Sequence, residues 1–189
     1  MKSMECDEIK LFVVRLSEDS PSASTGVKLY KLGLARRIGL SLLTKMRGIL
    51  LDPYAQTPLS IRDRELANSI VVIDRSWKVL EKEGRMNIRF GYMSRRRLPF
   101  LVASNPINYA KAFKLSSAEA LAAALAIIGC FERAEEILSK FKWGKNFFAL
   151  NGRFLQIYMQ AKNAEEIEKA EDALMKEVLE RGEGDEGEG

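Results

Sequence analysis

Residues 98–125, LPFLVASNPINYAKAFKLSSAEALAAAL, constrain this chain more than any other stretch. An apolar, strand-like run passes into a small polar loop and then into the start of a helix. Ser116-Ser117-Ala118-Glu119 ahead of the apolar run is a capping box: the Ser116 hydroxyl accepts from the Glu119 amide, and the Glu119 carboxylate reaches back to the Ser116 amide. A helix begins there with its free amides turned towards the loop. Such an end attracts anions, because unpaired N–H groups and the positive pole of the helix dipole point outward together, so a carboxylate or phosphate could sit against Ser116 and Ser117. The competing reading is an ordinary capped helix whose cap serves stability alone.

A chain of 189 residues can form one domain or two small ones that share an interface. Its longest apolar run, residues 118–128, is too short to span a bilayer and stops at Gly129. The start, MKSMECDEIK, carries charges where a signal peptide needs an apolar segment, so the expectation is a cytoplasmic protein without a membrane partner. Cys6 and Cys130 are the two cysteines and histidine is absent, which predicts no zinc or iron site and no disulfide framework. Histidine-dependent triads and bases are excluded as well. Acid–base work falls to Asp, Glu, Lys, Tyr or the substrate.

The net charge of +4 conceals an uneven distribution. Residues 164–189 hold eleven acidic and three basic residues, a net of −8, which leaves +12 on residues 1–163. A basic body calls for a polyanionic partner, and Arg36, Arg37, Lys45, Arg47, Arg85, Arg89, Arg95, Arg96 and Arg97 are its densest contributions. Because these residues flank apolar segments instead of alternating with acids, nucleic acid outranks a merely solvated surface.

Residues 9–16, 48–51 and 70–73 read as strands, the last apolar throughout as in a parallel sheet buried on both faces. Helices are expected within 28–40 and over 60–68, where Ser60 stands three residues before Asp63 as a weak cap. From Ser116 onward the pattern is helical: 117–128 nearly all apolar, 132–141 and 147–161 amphipathic, and a last charged helix capped at Asn163. The alternation predicts α/β architecture, an N-terminal parallel-sheet region followed by helices alone. Ligands of such sheets bind beyond the carboxyl ends of the strands, which directs attention to residues 20–26, 51–53, 74–77 and the loop after 101–103. Asp74-Arg75-Ser76-Trp77 puts a carboxylate and an indole at one of these ends, although a strand-terminal Asp is often a cap and a Trp is often core. Ser24-Thr25-Gly26 offers a hydroxyl and a pliable backbone. The chain has neither a GxGxxG nor a P-loop, which argues against ordinary dinucleotide or nucleoside-triphosphate sites.

Several segments in order resemble the S-adenosylmethionine-dependent small-subunit rRNA aminocarboxypropyltransferases of archaea and eukaryotes: Thr25-Gly26 with Lys28-Leu29 and Gly33-Leu34-Ala35; Leu51-Asp52-Pro53; Val72-Ile73-Asp74-Arg75-Ser76-Trp77; Arg97-Leu98-Pro99; Leu101-Val102-Ala103-Ser104-Asn105-Pro106-Ile107-Asn108-Tyr109; Lys114-Leu115-Ser116; Glu119-Ala120-Leu121-Ala122-Ala123-Ala124; and Phe141-Lys142-Trp143-Gly144. The resemblance covers residues 8–170. It implies an α/β domain over 1–97 and a helical domain over 98–180 that completes the cofactor site; beyond these, the acidic segment 181–189 has nothing to bury and is expected to be a disordered tail. It also implies a fold similar to the knotted RNA methyltransferases of the SPOUT class, with a deep trefoil knot. The implied reaction moves the 3-amino-3-carboxypropyl group of S-adenosylmethionine, without a metal, to N3 of a uridine, N1-methylpseudouridine in most members. The implied partner is small-subunit rRNA or the pre-ribosomal small subunit, and the expected state is a monomer.

Carried over position by position, the cofactor contacts are Thr25, Ile73, Leu98, Phe113 and Ser117, with Leu51, Pro53, Trp77 and Leu115 as apolar walls and Ser116 beside them. Asp74 either takes the N3 proton or holds the amino group of the cofactor. Arg36, Arg37, Arg95, Arg96, Arg97 and Lys111 are the expected phosphate contacts. The chain departs from the family where Arg75 replaces a frequent Cys, where Ala110 replaces a frequent Gly, and in lacking the cysteines that often precede Thr-Gly. The alternatives are a SPOUT-type RNA methyltransferase and a non-enzymatic pre-rRNA-binding assembly factor.

Overall fold

The computed structural model describes residues 5–16 and 24–185. Its elements are β1 (Lys10–Arg15), α1 (Thr25–Lys31), β2 (Arg36–Ile38), α2 (Leu40–Leu43), β3 (Arg47–Leu51), a 3-10 turn (Ile61–Leu66), β4 (Ser69–Asp74), α3 (Trp77–Glu83) and β5 (Tyr92–Arg96). Helices alone follow: α4 (Ser117–Ile127), α5 (Phe131–Ser139), α6 (Gly144–Gln160) and α7 (Ala164–Asp185). The five strands form one parallel sheet in the order β2-β1-β4-β3-β5. The expected α/β architecture with a parallel sheet and trailing helices is present.

The central pair, β1 and β4, is in register from Lys10↔Ser69 to Arg15↔Asp74, and the Leu16 amide donates to the Asp74 carbonyl at 3.0 Å. Ile70 and Val71 of β4 are fully buried, as expected of a strand covered on both faces. Side chains alternate across the sheet. Leu11, Val13, Ile49, Leu51, Ile70 and Val72 face α1 and α4, whereas Val14, Leu50, Val71 and Met93 face a smaller core with Leu43 of α2. The larger core joins residues before and after residue 98 in one cluster.

Residues 118 and 121–128 are fully buried, so α4 is almost wholly enclosed, and its alanines allow α5 and β4 to approach closely. Tyr158 of α6 is fully buried and donates to the Phe100 carbonyl at 2.9 Å; burial pushes its phenol well above the ordinary range. Among the described residues, no helix is long and apolar enough to cross a membrane.

Four expectations are corrected. Helix α1 ends at Lys31, and Gly33, at φ +71°, turns the chain into β2, an edge strand too short to show a pleat period in sequence. The apolar stretch 101–103 makes only an isolated bridge, Val102↔Ala112, and the fifth strand is instead the basic segment Tyr92–Arg96. Cys6 and Cys130 form a disulfide with a Cα–Cα separation of 5.6 Å, tying the N-terminal turn to the connection between α4 and α5. Their sequence separation of 124 hid that proximity. Finally, α7 continues to Asp185, into the segment expected to be a disordered tail. Residues 20–23 of the first expected ligand loop and residues 186–189 of the tail lie outside the described residues.

Candidate active site

Asp74 ends β4 where two helices begin. Its Oδ2 accepts from the Ser24 hydroxyl at 2.5 Å and its Oδ1 from the Ser117 hydroxyl at 3.0 Å. Ser24 is also the N-cap of α1, accepting from the Val27 amide at 3.1 Å, and Ser117 is the first residue of α4. The Ala118 amide donates to Thr25 Oγ1 at 3.3 Å, closing the ring of contacts between the helices. Gly26 makes this fit possible, because a Cβ there would stand 2.7 Å from Asp74 Cγ. The structure therefore brings Thr25, Asp74 and Ser117 together, and adds Ser24, which the sequence analysis named as part of Ser24-Thr25-Gly26 but not among the cofactor contacts. The available signal was its place directly before Thr25-Gly26 with a cap-forming hydroxyl.

Trp77 opens α3, and its indole Nε1 donates to the Leu115 carbonyl at 2.9 Å, so the ring is tied to the approach to α4. Leu51 and Leu115 are buried, Ile73, Trp77 and Leu98 are half-buried, and Pro53 is exposed. Phe113 is 41% exposed at a φ of +62°, with its ring edge against Phe100 at a centroid distance of 5.6 Å.

Behind this surface stands Glu119, which has no exposed area and accepts five hydrogen bonds. Oε1 takes the Ser104 amide (2.6 Å), the Ser104 hydroxyl (2.9 Å) and the Asn105 amide (3.1 Å). Oε2 takes Asn105 Nδ2 (2.8 Å) and the Ser116 amide (2.7 Å). The predicted capping box is present, but its glutamate also organises residues 104–116. The sequence signal for that larger role was the polar Ser104-Asn105 pair in an apolar setting.

The anion-binding expectation at α4 is narrowed. The Ser116 amide goes to Glu119, the Ala118 amide to Thr25 and the Glu119 amide to Ser116 Oγ at 3.3 Å, so three of the first four amides have internal partners. What faces the strand edge is a set of hydroxyls around one carboxylate. Among the described residues, no group of three His, Cys, Asp or Glu is placed to hold a metal.

Residues 49–175 match a family described as ribosome biogenesis protein, C-terminal. The chain is 40% identical over 151 residues to the 16S rRNA aminocarboxypropyltransferase of Vulcanisaeta distributa, covering 79% of this chain and 81% of that protein. It is 37% identical over 177 residues to the protein of the same name from Saccharolobus solfataricus, covering 92% and 100%. The chain belongs to the 16S rRNA aminocarboxypropyltransferase family. A solved structure described as the SAM-dependent rRNA:acp-transferase Tsr3 from Vulcanisaeta distributa superposes with a TM-score of 0.75 at 36% identity, over 89% of this chain and 97% of that one.

In this aminocarboxypropyltransferase the six expected phosphate contacts divide. Arg95 donates through Nε to Asp52 at 2.7 Å and also pairs with it through Nη2. Arg96 donates to Asp63 at 2.9 Å, and Arg97 makes a two-pronged contact with Glu171 of α7 at 3.0 and 2.9 Å. Each of those carboxylates is 5% exposed, so these three arginines neutralise interior charge and are not loose phosphate contacts. Arg36, Arg37 and Lys111 are exposed. Among the described residues, one cleft lies at Asp52 and Arg95 and another at Val14 and Arg37; none of the ten cofactor candidates lines either, although Asp52 stands between Leu51 and Pro53.

Proposed function

We propose that this enzyme transfers the 3-amino-3-carboxypropyl group of S-adenosylmethionine to N3 of a modified uridine, N1-methylpseudouridine, in small-subunit rRNA during ribosome biogenesis. The observation that carries this reading is the convergence of Ser24, Thr25, Asp74 and Ser117 at the carboxyl end of β4, beside the indole of Trp77, in a member of this family. Polar hydroxyls next to apolar walls suit a ligand with a zwitterionic end and an adenine end.

Leu51, Pro53, Ile73, Leu98, Phe113 and Leu115 wall the adenine, while Thr25, Ser116 and Ser117 face the methionyl carboxylate. Trp77 covers the methyl group and offers its ring face to the positive sulfur, leaving the carboxypropyl carbon open to RNA. When bound, the donor supplies a sulfonium whose departure needs no general acid and no metal. The protein's main task is then alignment of N3 with that carbon. Asp74, held by two hydroxyls, keeps acceptor capacity for the N3 proton or for the amino group of the donor.

The segment leaving β5 pairs with the loop after β3 through Leu59 N to Arg97 O (2.8 Å) and Arg97 N to Thr57 O (3.1 Å) before reaching α4. We take the chain to be SPOUT-like and knotted, as the family resemblance implies. An rRNA partner also favours a cytoplasmic protein, and we take it to act as a monomer.

The deciding experiment incubates the protein with small-subunit rRNA and cofactor labelled separately in the methyl group and in the carboxypropyl chain, followed by nucleoside mass spectrometry. The chain label should reach a uridine derivative. Methyl label on the RNA would establish the methyltransferase reading instead, and RNA binding without affinity for S-adenosylmethionine would establish the assembly-factor reading.

A further inference from the structure

A cleft of about 310 Å³ opens at the carboxyl ends of β3 and β5, on the sheet face opposite α4. Leu50 packs into the smaller core and stands opposite Arg95 in the register, which directs Arg95 to that face. The connection between α3 and β5 closes over it and contributes Arg85, Asn87, Ile88 and Phe90 to the lining. Gly91 ends this connection at φ +51°, where a Cβ would stand 2.0 Å from the Thr44 carbonyl oxygen, so the backbone is pinned against α2.

The floor is built. Asp52 is 5% exposed; its Oδ1 accepts from the Tyr54 amide at 2.9 Å and its Oδ2 from Arg95 Nε. The guanidinium of Arg95 lies 4.9 Å from the centroid of the Phe90 ring. Arg95 is thereby immobilised between a carboxylate and an aromatic face, and the cleft presents a flat, fixed wall. Ile88 and Phe90 add apolar surface, and the exposed Arg85 and Asn87 stand at the mouth.

This combination matches a single nucleotide. An unpaired base stacks on aromatic or guanidinium planes and is read at its edge by an amide, while a second guanidinium takes the phosphate. We propose that the cleft holds one unpaired, phosphate-bearing nucleotide of the RNA strand, flanking the nucleotide modified at Asp74. The inference rests on the rRNA reading above. Both sites lie at the carboxyl edge of one sheet, with β3 between β4 and β5, a lateral span of about 10 Å, Asp74 on the face of α4 and the cleft on the opposite face, so the RNA strand crosses that edge between them. In this arrangement Asn87 contacts the base edge, Arg85 the phosphate, and Ile88 and Phe90 the base face.

The test measures binding of the full-length protein to a single-stranded fragment of small-subunit rRNA across a salt series, with S-adenosylmethionine binding measured calorimetrically on the same preparations. Arg85→Ala should weaken RNA binding about tenfold and lower the log–log salt slope by about 0.7. Asn87→Ala should weaken it several-fold with the slope unchanged, since no charge is lost. Arg89→Ala, which removes a neighbouring exposed arginine outside the lining, should have a smaller effect than Arg85→Ala. Cofactor affinity should be unaltered in all three.

If Asn87→Ala binds RNA as wild type does, or Arg89→Ala matches Arg85→Ala, the arginines act as diffuse charge and the subsite is overturned alone. Saturable binding of uridine 5′-monophosphate that Arg85→Ala abolishes, with RNA affinity untouched, would overturn RNA as the source of the nucleotide. Wild-type protein that binds no rRNA would overturn the parent reading and the subsite together.

Discussion

Arg36-Arg37 and Arg95-Arg96-Arg97 are alike as sequence and lie at the two edge strands of one sheet, β2 and β5 with Arg97 just past its end, yet they do opposite work. On β2 the guanidinium groups are exposed, where they keep another strand from pairing with the edge and stay available to a polyanion. At β5 each arginine meets a carboxylate from a different part of the chain: Asp52 after β3, Asp63 in the 3-10 turn and Glu171 in α7. A buried carboxylate without its partner costs several kcal/mol, so the β5 arginines act as ties between distant segments. Residue type sets what a side chain can bind. Whether it is already bound depends on what folding places opposite it.

The same contrast separates two carboxylates. Glu119 is enclosed by donors from the backbone and side chains of its own loop, whereas Asp74 is half-buried at the strand edge with two hydroxyl partners. The first is a structural keystone for residues 104–116, and the second lies at the carboxyl end of β4, where we propose that the ligand binds.

The largest effect should come from Arg97→Ala, which strands Glu171 with only the Phe100 amide at 2.8 Å. Denaturant unfolding should show a loss of about 3–5 kcal/mol, and a loss below about 1 kcal/mol would erase the distinction between the two edges. Glu119→Gln comes next: an amide nitrogen would face donors in place of one carboxylate oxygen, and about 2–4 kcal/mol of stability should go.

Asp74→Asn sharpens the comparison from the other side. Thermal stability should shift little, while carboxypropyl transfer to rRNA falls by about 10²–10⁴ if the carboxylate takes the N3 proton. If turnover survives and cofactor affinity alone drops, Asp74 is the amino-group anchor.

Replacing Arg36 and Arg37 together by alanine should leave stability within about 0.5 kcal/mol of wild type. The double variant should also lower the salt slope of RNA binding by about 1–2. An unchanged slope would remove the β2 edge from the RNA surface. The one gain in stability is expected at Ala110, a non-glycine residue at φ +61° beside the exposed Lys111. Ala110→Gly should gain about 0.5–1 kcal/mol by relieving its left-handed backbone, with RNA affinity unaltered if only the charge of Lys111 matters.

Much of the framework is local and could be read directly. Ser116 and Glu119 announce the start of α4 because a capping box closes over three residues. Residues 70–73 announce a strand covered on both faces because all four are apolar. Asp74 was conspicuous as the first charge after that run, and the rule for parallel sheets places ligands there. Residues with a role in local geometry, such as Asn163 accepting from the Glu166 amide at 2.9 Å, were equally legible.

What stayed hidden depends on contacts between segments far apart in the chain. Cys6 meets Cys130 across 124 positions and Arg97 meets Glu171 across 74, and periodicity or capping rules reach only a few residues. Strand β5 was unreadable for the same reason: its arginines lie in a sheet because carboxylates from elsewhere neutralise them. The Ala118 amide of α4 looked free because its acceptor, Thr25, comes from another element. Short-range chemistry in the chain thus specifies where elements start and which groups are on offer, whereas the packing of distant elements determines which of those groups remain open to cofactor and RNA.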